Sequence, residues 1–171
     1  DLDAIAAEVA DKLKGSSVRQ LVIEPGRYIV ADTTVLLTRV NDVKSTPVKD
    51  YLLVDAGFNT LIRPAFYDSY HHVAVANRFG QRAELKYDVA GPLCETGDYL
   101  AKERYLPKVE PGDLLCVYDV GAYGFSMSSN YNSLPHCAEV LVADRKLSLT
   151  REREDLRDLF RRQKIPARLV R

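Results

Sequence analysis

The sequence predicts a mainly β chain that begins with a short α/β segment. Three observations support this prediction. An apolar stripe at helical spacing opens the chain, a continuous apolar run follows it, and short β-branched stretches separated by Gly, Pro, Asn and Asp fill most of the remainder. Several short strands at this spacing are typical of an antiparallel sandwich or barrel. The 171 residues are too few for a complete (β/α)8 barrel, which takes about 250.

The α/β character is confined to the start of the chain. Residues 2–13 place five apolar side chains on one helical face, namely Leu2, Ile5, Ala6, Val9 and Leu13. Residues 21–23 (Leu-Val-Ile) form a continuous apolar run, which indicates a buried parallel strand, and Pro25 and Gly26 end it. A helix followed by a fully buried strand is typical of an α/β fold.

The rest of the chain has the pattern of an all-β domain. Strands are predicted at residues 33–40, 51–54, 72–76, 83–90, 114–120 and 138–142. Apolar residues near the end predict one short terminal helix, namely Leu149, Leu156, Leu159 and Phe160.

Composition narrows the classes of function. The 24 Lys and Arg balance the 24 Asp and Glu, so a nucleic-acid-binding protein is disfavoured. Three cysteines without CxxC spacing argue against a disulfide framework or a zinc site, and they favour a reduced, cytoplasmic protein. No stretch is long and apolar enough for a membrane span. His71 and His72 are adjacent on a predicted strand and face opposite ways, so no metal site is expected.

Two sequence blocks place basic residues after predicted strands. Glu24, Pro25, Gly26 and Arg27 follow the apolar run, where α/β folds carry their sites. Gly26 permits close approach of a ligand to the backbone, and Arg27 offers a planar fork to a carboxylate or phosphate. On spacing alone, a plain turn with a solvated Arg is the favoured explanation of this block. The second block contains R-P-A-F-Y at residues 63–67, whose Arg and Tyr could face one anion.

Two further blocks are loops with reactive or aromatic side chains. Cys94 and Glu95 stand together in G-P-L-C-E-T-G-D, where a thiol beside a carboxylate can exchange protons, or where a cysteine simply packs. Residues 121–132 (G-A-Y-G-F-S-M-S-S-N-Y-N) are too polar and glycine-rich for a strand. This composition suits a loop that holds an aromatic ring against a flat ligand, or a mobile loop without a ligand.

Taken in order, the four blocks resemble the diaminopimelate decarboxylases, which are pyridoxal-phosphate enzymes of the alanine-racemase-like fold. E-P-G-R, V-D-A-G-F-N-T-L-I-R-P-A-F-Y, G-P-L-C-E-T-G-D and G-A-Y-G-F-S-M-S-S-N-Y-N-S carry the resemblance, which spans at least residues 21–142. It implies a (β/α)8 barrel that binds the cofactor, followed by a C-terminal β-domain. On this division, residues 1–30 are the last helix and strand of the barrel. Residues 31–171 are then the antiparallel β-sandwich or barrel domain.

The resemblance also implies a reaction and partners. The family decarboxylates meso-2,6-diaminopimelate to L-lysine and CO2 in lysine biosynthesis. It forms a head-to-tail homodimer with active sites at the interface. Pyridoxal 5'-phosphate is the implied cofactor, with Glu24, Pro25, Gly26, Arg27 and Tyr123 as the implied contacts.

Substrate and catalytic residues follow from the same matches. Five residues match substrate-binding positions, namely Arg27, Arg63, Tyr67, Glu95 and Tyr123. Arg63 and Tyr67 match the clamp for the distal carboxylate. Cys94 matches the family's proton donor and Glu95 the residue that holds the distal ammonium, and both are expected to reach into the partner subunit's site.

One departure qualifies the expectation of activity. The family's Schiff-base lysine lies on an early barrel strand, and none of the four blocks contains it. We therefore expect a C-terminal portion that is inactive without its barrel. A non-catalytic paralogue or binding module is the alternative. So is a related decarboxylase for ornithine, arginine or carboxynorspermidine, although Glu95 stands where ornithine-type enzymes usually have Asp.

Overall fold

The computed structural model describes residues 1–169, and most of its ordered elements are strands. The strands are β1 (Leu36–Ser45), β2 (Asp50–Val54), β3 (Val73–Val75), β4 (Leu85–Ala90), β5 (Tyr99–Leu106), β6 (Leu114–Val117), β7 (Glu139–Ala143) and β8 (Lys146–Arg151). The α-helices are α1 (Leu2–Leu13), α2 (Gly26–Val30), α3 (Arg63–Tyr67) and α4 (Leu156–Phe160). None of the helices in the described residues is long and apolar enough to cross a membrane.

Six strands form one sheet in the order β3-β6-β1-β2-β4-β5. The edge strands β3 and β5 lie against each other, so the sheet curls into a nearly closed barrel. The predicted mainly β fold is therefore confirmed. One pairing departs from the antiparallel expectation, because β2 and β4 run parallel. Between them the chain crosses to the far edge through α3 and β3, and it returns in its original direction.

The core lies inside this curled sheet and consists of aliphatic side chains. Those with at most 1% exposure are Val40, Leu52, Val54, Leu61, Val89, Leu100, Leu115 and Val117. Alternate residues of β2 are buried, as a strand with one apolar face requires. The sheet is thus a self-contained unit that presents its connecting loops to the outside.

Each of the six strands predicted in residues 33–142 overlaps an observed one, but two observed strands, β5 and β8, were not predicted. In β5 the charged run of residues 102–104 interrupts the apolar alternation, and Glu103 takes a left-handed φ of 55°. Strand β8 is exposed along its whole length, so it carries no burial pattern. Leu149, assigned to the terminal helix from its spacing, lies in β8, and the helix itself is the shorter α4.

The N-terminal helix is confirmed, but its apolar face is uncovered. Asp1 caps α1 by accepting the backbone N–H of Asp3 at 3.0 Å. No residue of α1 is buried, and Leu2 and Ile5 are more than half exposed. An amphipathic helix gains most of its stability from packing, so this face is suited to cover another surface.

The predicted strand at residues 21–23 was wrong for the chain as the structure describes it. The segment is extended but unpaired, and Leu21, Val22 and Ile23 are 57%, 71% and 72% exposed. A parallel strand exists only through hydrogen bonds to neighbouring strands, and residues 1–169 supply none here.

The segment that follows docks on the sheet through a glycine contact. The backbone N–H of Gly121 donates to the Ala31 carbonyl at 3.0 Å. A Cβ at Gly121 would overlap the carbonyl oxygen of Val30, which closes α2. Only glycine permits this approach of two backbones.

We expect Gly121→Ala to push α2 away from the sheet and to lower the free energy of unfolding by about 1–3 kcal/mol, as overpacking does. Urea unfolding of the purified chain measures this. Gly97→Ala is the control, because a Cβ there meets no atom within 4 Å. Equal stability of the two variants would contradict the contact.

Candidate functional site

The loop of residues 121–134, which we call the central loop, is the centre of the candidate site, because it contacts two of the other sequence blocks and the segment that follows the first one. It follows β6 and contains two short 3-10 turns, Phe125–Met127 and Tyr131–Ser133. Its first residue, Gly121, bonds to the segment after α2, and the ring of Tyr123 faces Arg63 of α3. Its last turn contacts the loop between β4 and β5. The second, third and fourth blocks are therefore in contact with one another through this loop.

The block Glu24, Pro25, Gly26 and Arg27 leads into α2 and is exposed throughout. Within the described residues, neither Glu24 nor Arg27 has a side-chain hydrogen bond or ion pair. A Cβ at Gly26 would meet no atom within 4 Å, so its backbone is open to approach. An open backbone beside an uncommitted guanidinium fits an anionic phosphate group.

Arg63 is held between two aromatic rings. It opens α3, and its guanidinium carbon lies 5.4 Å from the ring centroids of both Tyr67 and Tyr123. One guanidinium nitrogen also donates to the Ser69 hydroxyl at 3.2 Å. The ring faces orient the cation and leave its other N–H groups for an anion. The structure thus brings Tyr123 to the predicted carboxylate clamp.

The Cys94–Glu95 loop is anchored by one buried carboxylate. Asp98 is 3% exposed and accepts the backbone N–H of Phe58 at 2.7 Å and of Leu93 at 2.8 Å. Burial raises the pKa of Asp98, and the two backbone donors oppose that shift. A Cβ at Gly57 would lie 2.7 Å from the carboxylate, and one at Gly91 would overlap it, so both positions require glycine.

Cys94 and Glu95 face the last turn of the central loop. The Cys94 thiol is exposed, and its Sγ lies 3.8 Å from the amide nitrogen of Asn132. The Tyr131 hydroxyl donates to Oε1 of Glu95, and this bond is the main reason why the pKa of Tyr131 is raised. The other oxygen, Oε2, is buried and finds no hydrogen-bond partner within residues 1–169.

Three residues that shape the candidate site were not singled out from the sequence, namely Asp98, Tyr131 and Asn132. All three lie inside the blocks that carried the resemblance. The only local signal for Asp98 is its place at the end of a Gly- and Pro-containing loop. The two others lie in N-Y-N, where the left-handed φ of 52° at Asn132 suits an Asn.

A second polar cluster fastens the central loop to the C-terminal segment. Glu154 accepts the backbone N–H of His136 at 2.8 Å, and its Oε2 lies 2.7 Å from the His136 ring. The Asn130 side chain donates to the same carboxylate at 2.8 Å. These bonds lower the pKa of Glu154 to about 2, with the His136 backbone N–H as the largest cause.

The other sequence candidates are structural. Cys116 is buried in β6, as expected for a core cysteine, and burial raises the pKa of its thiol. His71 is buried with its Nδ1 2.9 Å from the Tyr118 carbonyl oxygen, whereas His72 is exposed. The two histidines therefore differ in burial, in keeping with opposite faces.

Comparison with known proteins identifies close relatives. The sequence model of a family described as pyridoxal-dependent decarboxylase, C-terminal sheet domain, matches residues 27–121. A diaminopimelate decarboxylase of Archaeoglobus fulgidus is 57% identical over 151 residues, which are 88% of this chain and 36% of that protein. One of Methanothermobacter thermautotrophicus is 49% identical over 176 residues, covering 99% of this chain and 41% of that protein.

Comparison with solved structures also finds diaminopimelate decarboxylases. The crystal structure of diaminopimelate decarboxylase from M. jannaschii in complex with L-lysine has a TM-score of 0.87 to this chain at 38% identity. The match covers 98% of this chain and 38% of that one. The chain therefore spans less than half the length of the relatives that it matches.

Replacing Asp98 with Asn keeps the size of the side chain but turns one acceptor into a donor that faces a backbone N–H. We expect Asp98→Asn to lower the free energy of unfolding by about 1–3 kcal/mol. Amide hydrogen exchange at Phe58 and Leu93 should increase relative to the core. Asp88→Asn is the matched control, because this buried carboxylate accepts the Glu103 N–H at 2.6 Å instead. Unaltered exchange at Phe58 and Leu93 in Asp98→Asn would contradict the anchor.

Proposed function

The chain belongs to the pyridoxal-dependent decarboxylases, and we propose that it is the C-terminal part of a diaminopimelate decarboxylase. The observation that carries the proposal is the pairing of an exposed Cys94 thiol with Glu95, whose Oε2 is buried and unpartnered within residues 1–169. A buried carboxylate oxygen without a donor is costly, and an ammonium group supplies what it lacks. The identity to curated diaminopimelate decarboxylases supports the same substrate.

The substrate in this proposal is meso-2,6-diaminopimelate, which has a carboxylate and an ammonium group at each end. Arg63, flanked by Tyr67 and Tyr123, binds the distal carboxylate. Glu95 binds the distal ammonium, and Arg27 binds a carboxylate near the reacting end. Anchoring both distal groups fixes the reacting carbon relative to the protein.

The reaction converts meso-2,6-diaminopimelate to L-lysine and CO2. Pyridoxal phosphate, when bound, supplies the ring that withdraws the electron pair left on the carbon by the departing CO2. The residues of this chain that would hold this group are Glu24, Pro25, Gly26, Arg27 and Tyr123. The Cys94 thiol gives its proton to the carbon, which forms the new C–H bond, and water returns a proton to the sulfur.

The partners in this proposal are the cofactor-binding barrel and a second subunit. We expect the barrel to supply the lysine that binds the cofactor and to cover α1 and residues 21–23, whose apolar side chains are exposed. A homodimer would bring Cys94 and Glu95 into the partner subunit's site. Residues 91–97, which form the loop that carries both side chains, are exposed or partly exposed, and this is compatible with such an interface.

A hybrid enzyme tests the function. In it, this chain replaces the matching segment of the Archaeoglobus fulgidus diaminopimelate decarboxylase. We expect visible absorbance of bound pyridoxal phosphate and release of L-lysine, with kcat/KM within about tenfold of the parent, because the clamps on both sides are retained. The parent without that segment is the control. A hybrid that binds cofactor but releases no lysine, or prefers ornithine, contradicts the proposal.

Cys94→Ala in the same hybrid tests the proton donor. We expect kcat to fall by about 10²–10⁴, the usual contribution of a positioned acid. KM should change by less than about threefold, because the proton is needed after the substrate has bound. Cys137→Ala, at a half-buried cysteine, should leave both constants unchanged. An unaltered kcat in Cys94→Ala would remove this residue from the mechanism.

A further inference from the structure

The two oxygens of Glu95 are in different environments. Oε1 accepts a hydrogen bond from Tyr131, whereas Oε2 is buried without a partner among the described residues. A carboxylate that could rotate freely would offer either oxygen to a ligand. The tyrosine removes this freedom, so one defined oxygen is left for a donor from outside the chain.

Tyr131 is itself held in place from two sides. Its ring packs against Phe58, with 5.3 Å between the centroids and a 40° tilt. The backbone after it is left-handed at Asn132 and at Ser133, with φ of 52° and 59°, which turns the chain sharply beyond the ring. Phe58 also donates its backbone N–H to the carboxylate of Asp98. The residue that packs against the Tyr131 ring is therefore itself held by Asp98.

The hydroxyl of Tyr131 serves as a donor in this arrangement. A tyrosine hydroxyl is protonated at neutral pH, and the hydrogen bond to Glu95 raises the pKa of Tyr131 further above that range. A protonated phenol opposite a carboxylate adds no charge, and it leaves the negative charge on Glu95 for a cation. The pair therefore orients the carboxylate without neutralising it.

We infer that Tyr131 is a positioning residue that fixes Glu95 so that Oε2 receives the distal ammonium group of the substrate. The inference rests on the proposed function and extends it to a residue that does not touch the substrate. It makes the Tyr131–Glu95 pair a determinant of specificity for a ligand with an ammonium beside its distal carboxylate. Packing on Phe58 alone would give Tyr131 no such role.

The hybrid enzyme with Tyr131→Phe separates positioning from packing, because Phe keeps the ring on Phe58 and loses only the hydroxyl. We expect KM for meso-diaminopimelate to rise about tenfold with kcat changed less than about threefold. The inhibition constant of 2-aminopimelate, which lacks one ammonium group, should stay the same. Tyr105→Phe, at an exposed tyrosine on β5, is the control and should change neither constant.

A double-mutant cycle gives the decisive comparison. In the Glu95→Gln background, adding Tyr131→Phe should alter KM by less than about twofold, because the orientation of the charge no longer matters. Equal losses for meso-diaminopimelate and 2-aminopimelate, or equal effects of Tyr131→Phe in both backgrounds, would overturn the inference. An unchanged KM in Tyr131→Phe would also overturn it.

Two checks keep the outcomes distinct. An unsubstituted hybrid without decarboxylase activity contradicts the proposed function, whereas an active hybrid that is indifferent to Tyr131→Phe contradicts only this inference. Should Tyr131→Phe fail to fold, as judged by thermal unfolding, Phe58→Leu loosens the ring and keeps the hydroxyl. A KM raised about threefold for meso-diaminopimelate alone supports the inference, and an unchanged KM overturns it.

Discussion

The carboxylate of Asp98 is the interaction on which the geometry of the candidate site depends. By accepting the backbone N–H groups of Phe58 and Leu93, it joins the loop after β2 to the loop between β4 and β5. Its burial is costly for a charged group, and the two fixed backbone dipoles compensate that cost. Glycines at positions 57 and 91 keep the space around it free. The positions of the Cys94 thiol and the Glu95 carboxylate depend on this junction, because both residues lie in the loop that Asp98 anchors.

The molecule combines a closed core with open apolar surfaces. The curled sheet buries its own aliphatic side chains, but the hairpin of β7 and β8 exposes nearly every residue. A two-stranded hairpin is marginally stable alone, so its order depends on contacts at its base. His136 precedes β7 and Glu154 follows β8, so the hydrogen bond between them provides such a contact. The bond from Asn130 to Glu154 connects the base of the hairpin to the central loop.

Sequence patterns predicted those parts whose interactions are local. The apolar stretch at residues 51–54 predicted β2, and helical spacing predicted α1, because both patterns lie within the element itself. Strand β5 was missed because the charged residues 102–104 break its apolar alternation. The pairing of Tyr131 with Glu95 joins residues 36 positions apart. No spacing rule anticipates such a contact, so the resemblance supplied the blocks but not their mutual geometry.

The carboxylate that ties the central loop to the C-terminal segment also determines how this part of the molecule tolerates acid. Because the pKa of Glu154 is lowered to about 2, its stabilising contribution is complete above the ordinary range for a glutamate, near pH 4.5. The contribution declines only as the pH falls from there towards 2. Protonation of this carboxylate is therefore not a source of pH sensitivity in a neutral or mildly acidic compartment. Between neutral pH and about pH 4.5, protonation of Glu154 does not loosen its bonds to His136 and Asn130. Any effect of pH on the central loop in this range must come from other groups.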